Sequence, residues 1–87
     1  GSWESLLEFY PDKDTFGNAV IAGKTLMDGD YRNMVISKDK GKLIAIKGLK
    51  DYLVIDTEDV LVICPKNDKQ FKDFMAGIAM PEYEKYR

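Results

Sequence analysis

The sequence predicts a small, mainly β fold: a roll, sandwich or coil of short strands with a short helix at each end. Three observations predict it. Residues 42–65, KLIAIKGLKDYLVIDTEDVLVICP, hold three apolar runs of strand length separated by two short polar breaks. Weaker runs of the same kind precede them, divided by Gly-Lys and Asp-Gly turn chemistry. After Pro65 the apolar period changes from that of a strand to that of a helix.

The first element is a helix over residues 2–9. Ser2 stands as its N-cap, Trp3, Leu6, Leu7 and Tyr10 recur at spacings of three and four, and Pro11 stops it. Such a helix is shorter than the ~12–15 residues needed for stability alone in water, so it must pack on something. Residues 12–18, DKDTFGN, are turn chemistry. Strands are expected at 19–22, 25–27, 33–37, 43–46, 52–55 and 60–64, with Asp28-Gly29 reading as a hairpin turn and 38–42 as a polar turn. No fixed-period repeat is apparent, and a hexapeptide β-helix pattern is absent. Asn67 followed by Gln70 forms a capping box, and Phe71, Phe74, Met75 and Ile78 make the stripe of an amphipathic helix over 67–80. Gly77 weakens that helix, Pro81 ends it, and 81–87 is expected to be a frayed, charged tail.

Eighty-seven residues suit one small domain with a modest core. Thirteen basic and 15 acidic residues nearly cancel and are interspersed, which argues against nucleic acid or an anionic membrane as partner. A single cysteine, Cys64, excludes an intramolecular disulfide, and with no histidine a Cys/His zinc site is excluded as well. No apolar run approaches the roughly 20 residues that span a bilayer, and the N-terminus lacks a signal-peptide layout. A cytoplasmic location is therefore expected. Gly1-Ser2 also matches a scar of tag removal.

Each candidate site has a plainer explanation beside it. Asp12, Asp14 and Gly17 occupy the first, third and sixth positions of an EF-hand loop, but Phe16 and Gly23 stand where oxygen ligands are required, so a turn is favoured. Cys64 ends a strand with no histidine to activate it and reads as a buried small hydrophobe. Asp56, Glu58 and Asp59 could pair for acid–base work, yet their spacing fits a solvated turn. On an extended strand Lys38, Lys40 and Lys42 would share one side and could hold a phosphate, but Asp39 and Gly41 argue for a turn that keeps an edge soluble. Trp3, Phe9 and Tyr10 read as a packing face before they read as a ligand platform. The seven glycines are scattered, so there is no phosphate loop. No catalytic, cofactor-binding or metal residue is assigned.

Several blocks carry a family resemblance. Gly1-Ser2-Trp3-Glu4-Ser5-Leu6, an acidic turn closing in Gly17-Asn18, the run Gly48-Leu49-Lys50-Asp51-Tyr52-Leu53-Val54-Ile55-Asp56-Thr57-Glu58-Asp59 and the strand over 60–66 resemble the C-terminal part of the mannose-1-phosphate guanylyltransferases, as far as about Phe74. The resemblance implies a parent enzyme that joins mannose 1-phosphate and GTP, with magnesium, to give GDP-mannose and pyrophosphate. It implies an irregular β-helix-like domain that packs beside the parent's own catalytic domain and helps subunits associate into a homo-oligomer. On this reading residues 1–10 mark the end of an absent catalytic domain, 16–66 form the β accessory domain, 67–80 the C-terminal helix and 81–87 the tail, and the piece alone is inactive and binds no cofactor. The chain departs from the family pattern at Tyr31-Arg32-Asn33, where an Asn-Ser pair is expected. The absence of a cupin isomerase domain after Arg87 implies an enzyme without isomerase activity, or a boundary of the piece. The alternative reading is a self-contained β-rich interaction module of unrelated function. A small independent enzyme fits least, for want of convergent polar residues.

Overall fold

The computed structural model describes residues 13–66, 68–78 and 80–86. The apolar runs form six strands, β1 (Ala19–Ile21), β2 (Lys24–Asp28), β3 (Met34–Ser37), β4 (Leu43–Lys47), β5 (Tyr52–Asp56) and β6 (Leu61–Pro65), followed by helix α1 (Phe71–Ile78) and a 3₁₀ helix (Pro81–Tyr86). The fold is mainly β, and the expected N-terminal helix over 2–9 lies outside the described residues.

The strands alternate between two sheets. One has the order β1-β3-β5-β6 and the other is the pair β2-β4, so the chain passes from the larger sheet to the smaller and back as a coil. β1, β3 and β5 run parallel, as do β2 and β4, and among the described residues only β5 and β6 form an antiparallel hairpin. Asp28-Gly29 is therefore a coil corner and not the hairpin turn its chemistry predicts.

The coil has a repeat that the sequence reading missed. Met34 pairs with Leu53, Lys24 with Leu43 and Tyr31 with Lys50, the same 19-residue offset at three places around the coil. Gly29 and Gly48, at φ 69° and 72°, stack at this offset, as do Arg32 and Asp51 at φ 56° and 59°. Two left-handed residues per corner turn the chain without a long loop, and glycine takes the first at no steric cost. The offset from β1 to β3 is shorter, Ala19 lying beside Met34. At the corner after β1, a Cβ on Gly23 would overlap the Lys40 carbonyl oxygen, so this position requires glycine.

Alternation gives the larger sheet two buried faces. Ala19, Met34, Ile36, Leu53, Ile55, Val62 and Cys64 share one face and form the main core with Met75 of α1, flanked by Val60, Phe71 and Ile78. The other face looks into the coil, carrying Val35 and Val54 between a row of asparagines at the strand starts and the Ser37–Asp56 pair at their ends.

The C-terminal region corrects three expectations. The helix is shorter than 67–80; Asn67 lies outside the described residues, and Asp68 makes the turn instead, its Oδ1 accepting from Gln70 N at 2.8 Å. Residues 81–86 are a 3₁₀ helix and not a frayed tail. Phe74 is 54% exposed, so the stripe meets the core through Met75, with Phe71 and Ile78 half-buried.

Candidate functional site

Polar side chains collect at the two ends of the strands of the larger sheet. At the strand starts, Asn18 and Asn33 stack inside the coil at 3% and 1% exposure. Asn33 donates from its backbone N and Nδ2 to Asn18 Oδ1 at 2.9 and 3.1 Å, and from Nδ2 to the Leu49 carbonyl at 2.7 Å. Its Oδ1 accepts from Tyr52 N at 2.8 Å, linking three successive coils. Asn18 Nδ2 donates to the Asp30 carbonyl at 2.7 Å. Asp30, also buried, accepts from Asp28 N and Leu49 N through its two carboxylate oxygens. These groups complete backbone hydrogen bonding that the corners leave open, as buried amides require.

At the strand ends lies the Ser37–Asp56 pair. Asp56 is 6% exposed; its carboxylate accepts from Ser37 Oγ at 2.9 Å and from Lys42 Nζ at 3.1 Å. This corrects the expectation that Asp56 is solvated in a turn with Glu58 and Asp59. Those two are exposed, held by a turn in which Thr57 N and Oγ1 donate to the Val60 carbonyl and Val60 N donates to Thr57 Oγ1. Lys38, Lys40 and Lys42 do not lie on a strand; Lys42 neutralises Asp56, while Lys38 and Lys40 face Glu58 and Asp59 across an open cleft of about 830 Å³ floored by Met75, Ile78 and Tyr86. The cleft carries both signs on its rim, and the buried Asp56 is not among its lining residues.

Asp14 and Cys64 resolve as structure. Asp14 makes a turn, Oδ1 accepting from Phe16 N at 2.9 Å and Asn18 N at 2.8 Å, and Oδ2 from Asn18 Nδ2. The slight desolvation of this exposed carboxyl raises its pKa, but these hydrogen bonds outweigh it and hold it below the ordinary value. Burial pushes the Cys64 thiol up, with Asp68 adding to the shift, the reverse of an activated nucleophile. Asp12 and the aromatic group Trp3, Phe9 and Tyr10 lie outside the described residues. A different aromatic pair is present: Phe16 and Tyr31 meet edge to face at 5.6 Å, with Lys50 Nζ 5.6 Å from the Tyr31 ring. Among the described residues no three Cys, Asp or Glu side chains converge as a metal donor set. No helix among them is long and apolar enough to cross a membrane.

Sequence reasoning singled out Asn18 only as part of a motif and missed Asp30 and Asn33. A signal for the asparagines exists: Asn18-Ala19-Val20-Ile21 and Asn33-Met34-Val35-Ile36 share the pattern Asn-x-Val-Ile, and Val54-Ile55 repeats its second half. Asn33 is the central rung of the ladder, bonded to both Asn18 and Tyr52.

Comparison with known proteins agrees with this architecture. The whole chain is 32% identical over 91 residues to a Vibrio cholerae protein named for mannose-1-phosphate guanylyltransferase, of which it covers 19%. It is 34% and 37% identical over 70 residues to the alginate biosynthesis proteins AlgA of Pseudomonas aeruginosa and Pseudomonas putida, matching 80% of this chain and 14% of each relative. The chain thus spans a fifth or less of the curated relatives it matches. No solved structure matches it. Residues 27–71, just over half of the chain and covering β3 to β6, match the family described as the MannoseP isomerase/GMP-like beta-helix domain, and the chain belongs to that family.

Proposed function

We propose that this chain is the non-catalytic accessory and assembly domain of a cytoplasmic mannose-1-phosphate guanylyltransferase, whose catalytic unit joins GTP and mannose 1-phosphate with magnesium to give GDP-mannose and pyrophosphate. One observation carries the reading: the chain aligns along its whole length with a relative named for that enzyme, yet accounts for only 19% of it. The use of polar groups supports it. Asn18, Asn33, Asp30 and Asp56 are all buried, and all are consumed by bonds between coils. Phosphoryl transfer needs positioned cations and metal ligands around an in-line displacement, and the described residues offer a scaffold instead. Partners on this reading are the protein's own catalytic domain and further copies of the same subunit.

The test is a deletion and rescue in the Vibrio cholerae relative. Removing its aligned 91-residue segment should lower thermal stability or assembly while leaving calorimetric GTP–magnesium binding in place, and joining this chain in its stead should restore the loss. The 87-residue chain alone should give no saturable heat with GTP and magnesium. Saturable micromolar binding by the isolated chain would overturn the proposal.

A further inference from the structure

Helix α1 covers one half of the core face of the larger sheet. It leaves β6 through the turn at Asp68 and ends with Ile78 beside Thr57 and Val60, at the bend between β5 and β6, so it lies back along that hairpin. A helix with its side chains is about 10–12 Å across and strands are about 4.8 Å apart, so a helix aligned with strands covers about two of them. The other two, β3 and the edge strand β1, turn Met34, Ile36, Ala19 and Ile21 to the same face. Met34, Ile36 and Ala19 are nonetheless only 8%, 6% and 2% exposed, and Ile21 is half-buried. Among the described residues, the side chains that pack over this face are Met75, Phe71 and Ile78 of α1 and Val60 before β6, all from the other half.

The chain outside the described residues selects the occupant. Residues 67, 79 and 87 are single positions, and the one longer stretch is 1–12. It joins the sheet at this half: the turn over 14–18 is bonded to itself and to Arg32, just ahead of β3, so the preceding chain enters beside the start of β1. Its pattern fits the seat, with Trp3, Leu6 and Leu7 on one side of a helix and Glu4 and Glu8 on the other. Eight helical residues span about 12 Å, close to the ~10 Å of a three-residue strand. We propose that residues 2–9 form a helix whose Trp3, Leu6 and Leu7 seat on Ala19, Ile21, Met34 and Ile36 beside α1, so that two helices cover the four strands. The cover belongs to the same chain, because these residues are buried within a single copy. The seat follows from the sheet and the apolar pattern, and it stands whether or not a catalytic unit precedes it. A unit joined ahead of Gly1 would be held against the β1 edge by a helix rooted in the core, and not by a free tether.

The 87-residue chain carries its own probe, since Trp3 is its sole tryptophan. Trp3 emission should be blue-shifted in the native chain, resist iodide quenching, and move to the position of free indole at the urea midpoint read by circular dichroism. Ile21→Ala, at a half-buried position of β1, should keep the folded dichroism spectrum but shift the emission to the red and increase its quenching. Phe74→Ala, at a 54% exposed position of α1, should do neither. Leu6→Asp should uncover Trp3 as Ile21→Ala does, and it carries the test by itself if the strand variant fails to fold; Glu8→Gln, on the opposite side of the helix, should leave Trp3 covered. Native emission already at the position of free indole overturns the proposal. So does emission that answers to Phe74→Ala and not to Ile21→Ala, which places the segment in the groove between β6 and the 3₁₀ helix. A blue shift lost on dilution overturns it as well, because the cover is then a second copy.

Discussion

Asn33 shows most directly how single side chains hold these coils together. At 1% exposure it satisfies Tyr52 N and the Leu49 carbonyl in the coil above and shares Asn18 Oδ1 below. Asn33→Leu keeps the volume but orphans buried partners on both sides, and should cost on the order of 2–4 kcal/mol in urea denaturation. Arg32, one residue away, pairs with Asp51 at 2.8 Å in solvent, both side chains being about half exposed. Arg32→Ala should therefore move the midpoint little. The contrast was only partly legible in the sequence: Asn-x-Val-Ile marks the asparagines, but nothing local distinguishes the buried Asp30 from the exposed Asp28 two residues before it. Asp14 supplies a pH dependence. Its folded pKa lies below the ordinary 3.8 despite a slight desolvation, because Asn18, Phe16 and Gly17 bond the carboxylate. A depressed carboxylate contributes stability that is present above the unfolded pKa and lost as pH falls through the folded one. The deficit of Asp14→Asn relative to the unaltered chain should accordingly be largest near neutrality and shrink once the pH drops below about 3.8; a constant difference from pH 7 to 2.5 would refute this assignment.

At the scale of elements, the sequence located all six strands to within a residue or two, because each is a short run of β-branched or apolar residues between polar breaks. It did not reveal how they pair. Turn chemistry is local, and Asp28-Gly29 reads the same in a hairpin as in a coil corner; the partner is set by stacking with Gly48, 19 residues on, a relation between side chains too different to show as a repeat. Helix α1 was found, but its exposed face was misread. Four apolar residues fit the stripe, yet the helix lies so that Met75 at 8% exposure enters the core while Phe74 at 54% does not. Met75→Ala should therefore cost about 2–5 kcal/mol, and Phe74→Ala much less, reversing the order expected from size. Gly77 has open space around its Cα among the described residues. Gly77→Ala should stabilise the chain by about 0.5–1 kcal/mol, through helix propensity alone. Gly23→Ala should do the opposite, since the new methyl would meet the Lys40 carbonyl oxygen of the adjacent corner. Thermal midpoints of the two glycine variants check both signs.

At the scale of the whole molecule, a stack of coils is a nearly one-dimensional object in which each layer is stabilised by its neighbours and the ends need caps. At the far end of the larger sheet the cap is β6 together with α1. Without it, Leu53 and Ile55, each 1% exposed, would lose the cover of Val62, Cys64 and Met75. The 3₁₀ helix is a different matter, for it buries no residue, and Tyr83 and Tyr86 stay 45% and 40% exposed. Two truncations separate these roles. A chain ending at Met80 should unfold cooperatively with a midpoint close to that of the full chain. A chain ending at Lys66 keeps all six strands but exposes the core face of the larger sheet, and should unfold without a sharp transition or associate through that face. If instead the chain ending at Lys66 kept the full midpoint and remained dispersed, the main core could not be the layer between the sheet and α1. The coil interior, with Val35, Val54 and the asparagine ladder, would then have to carry the stability of the domain by itself.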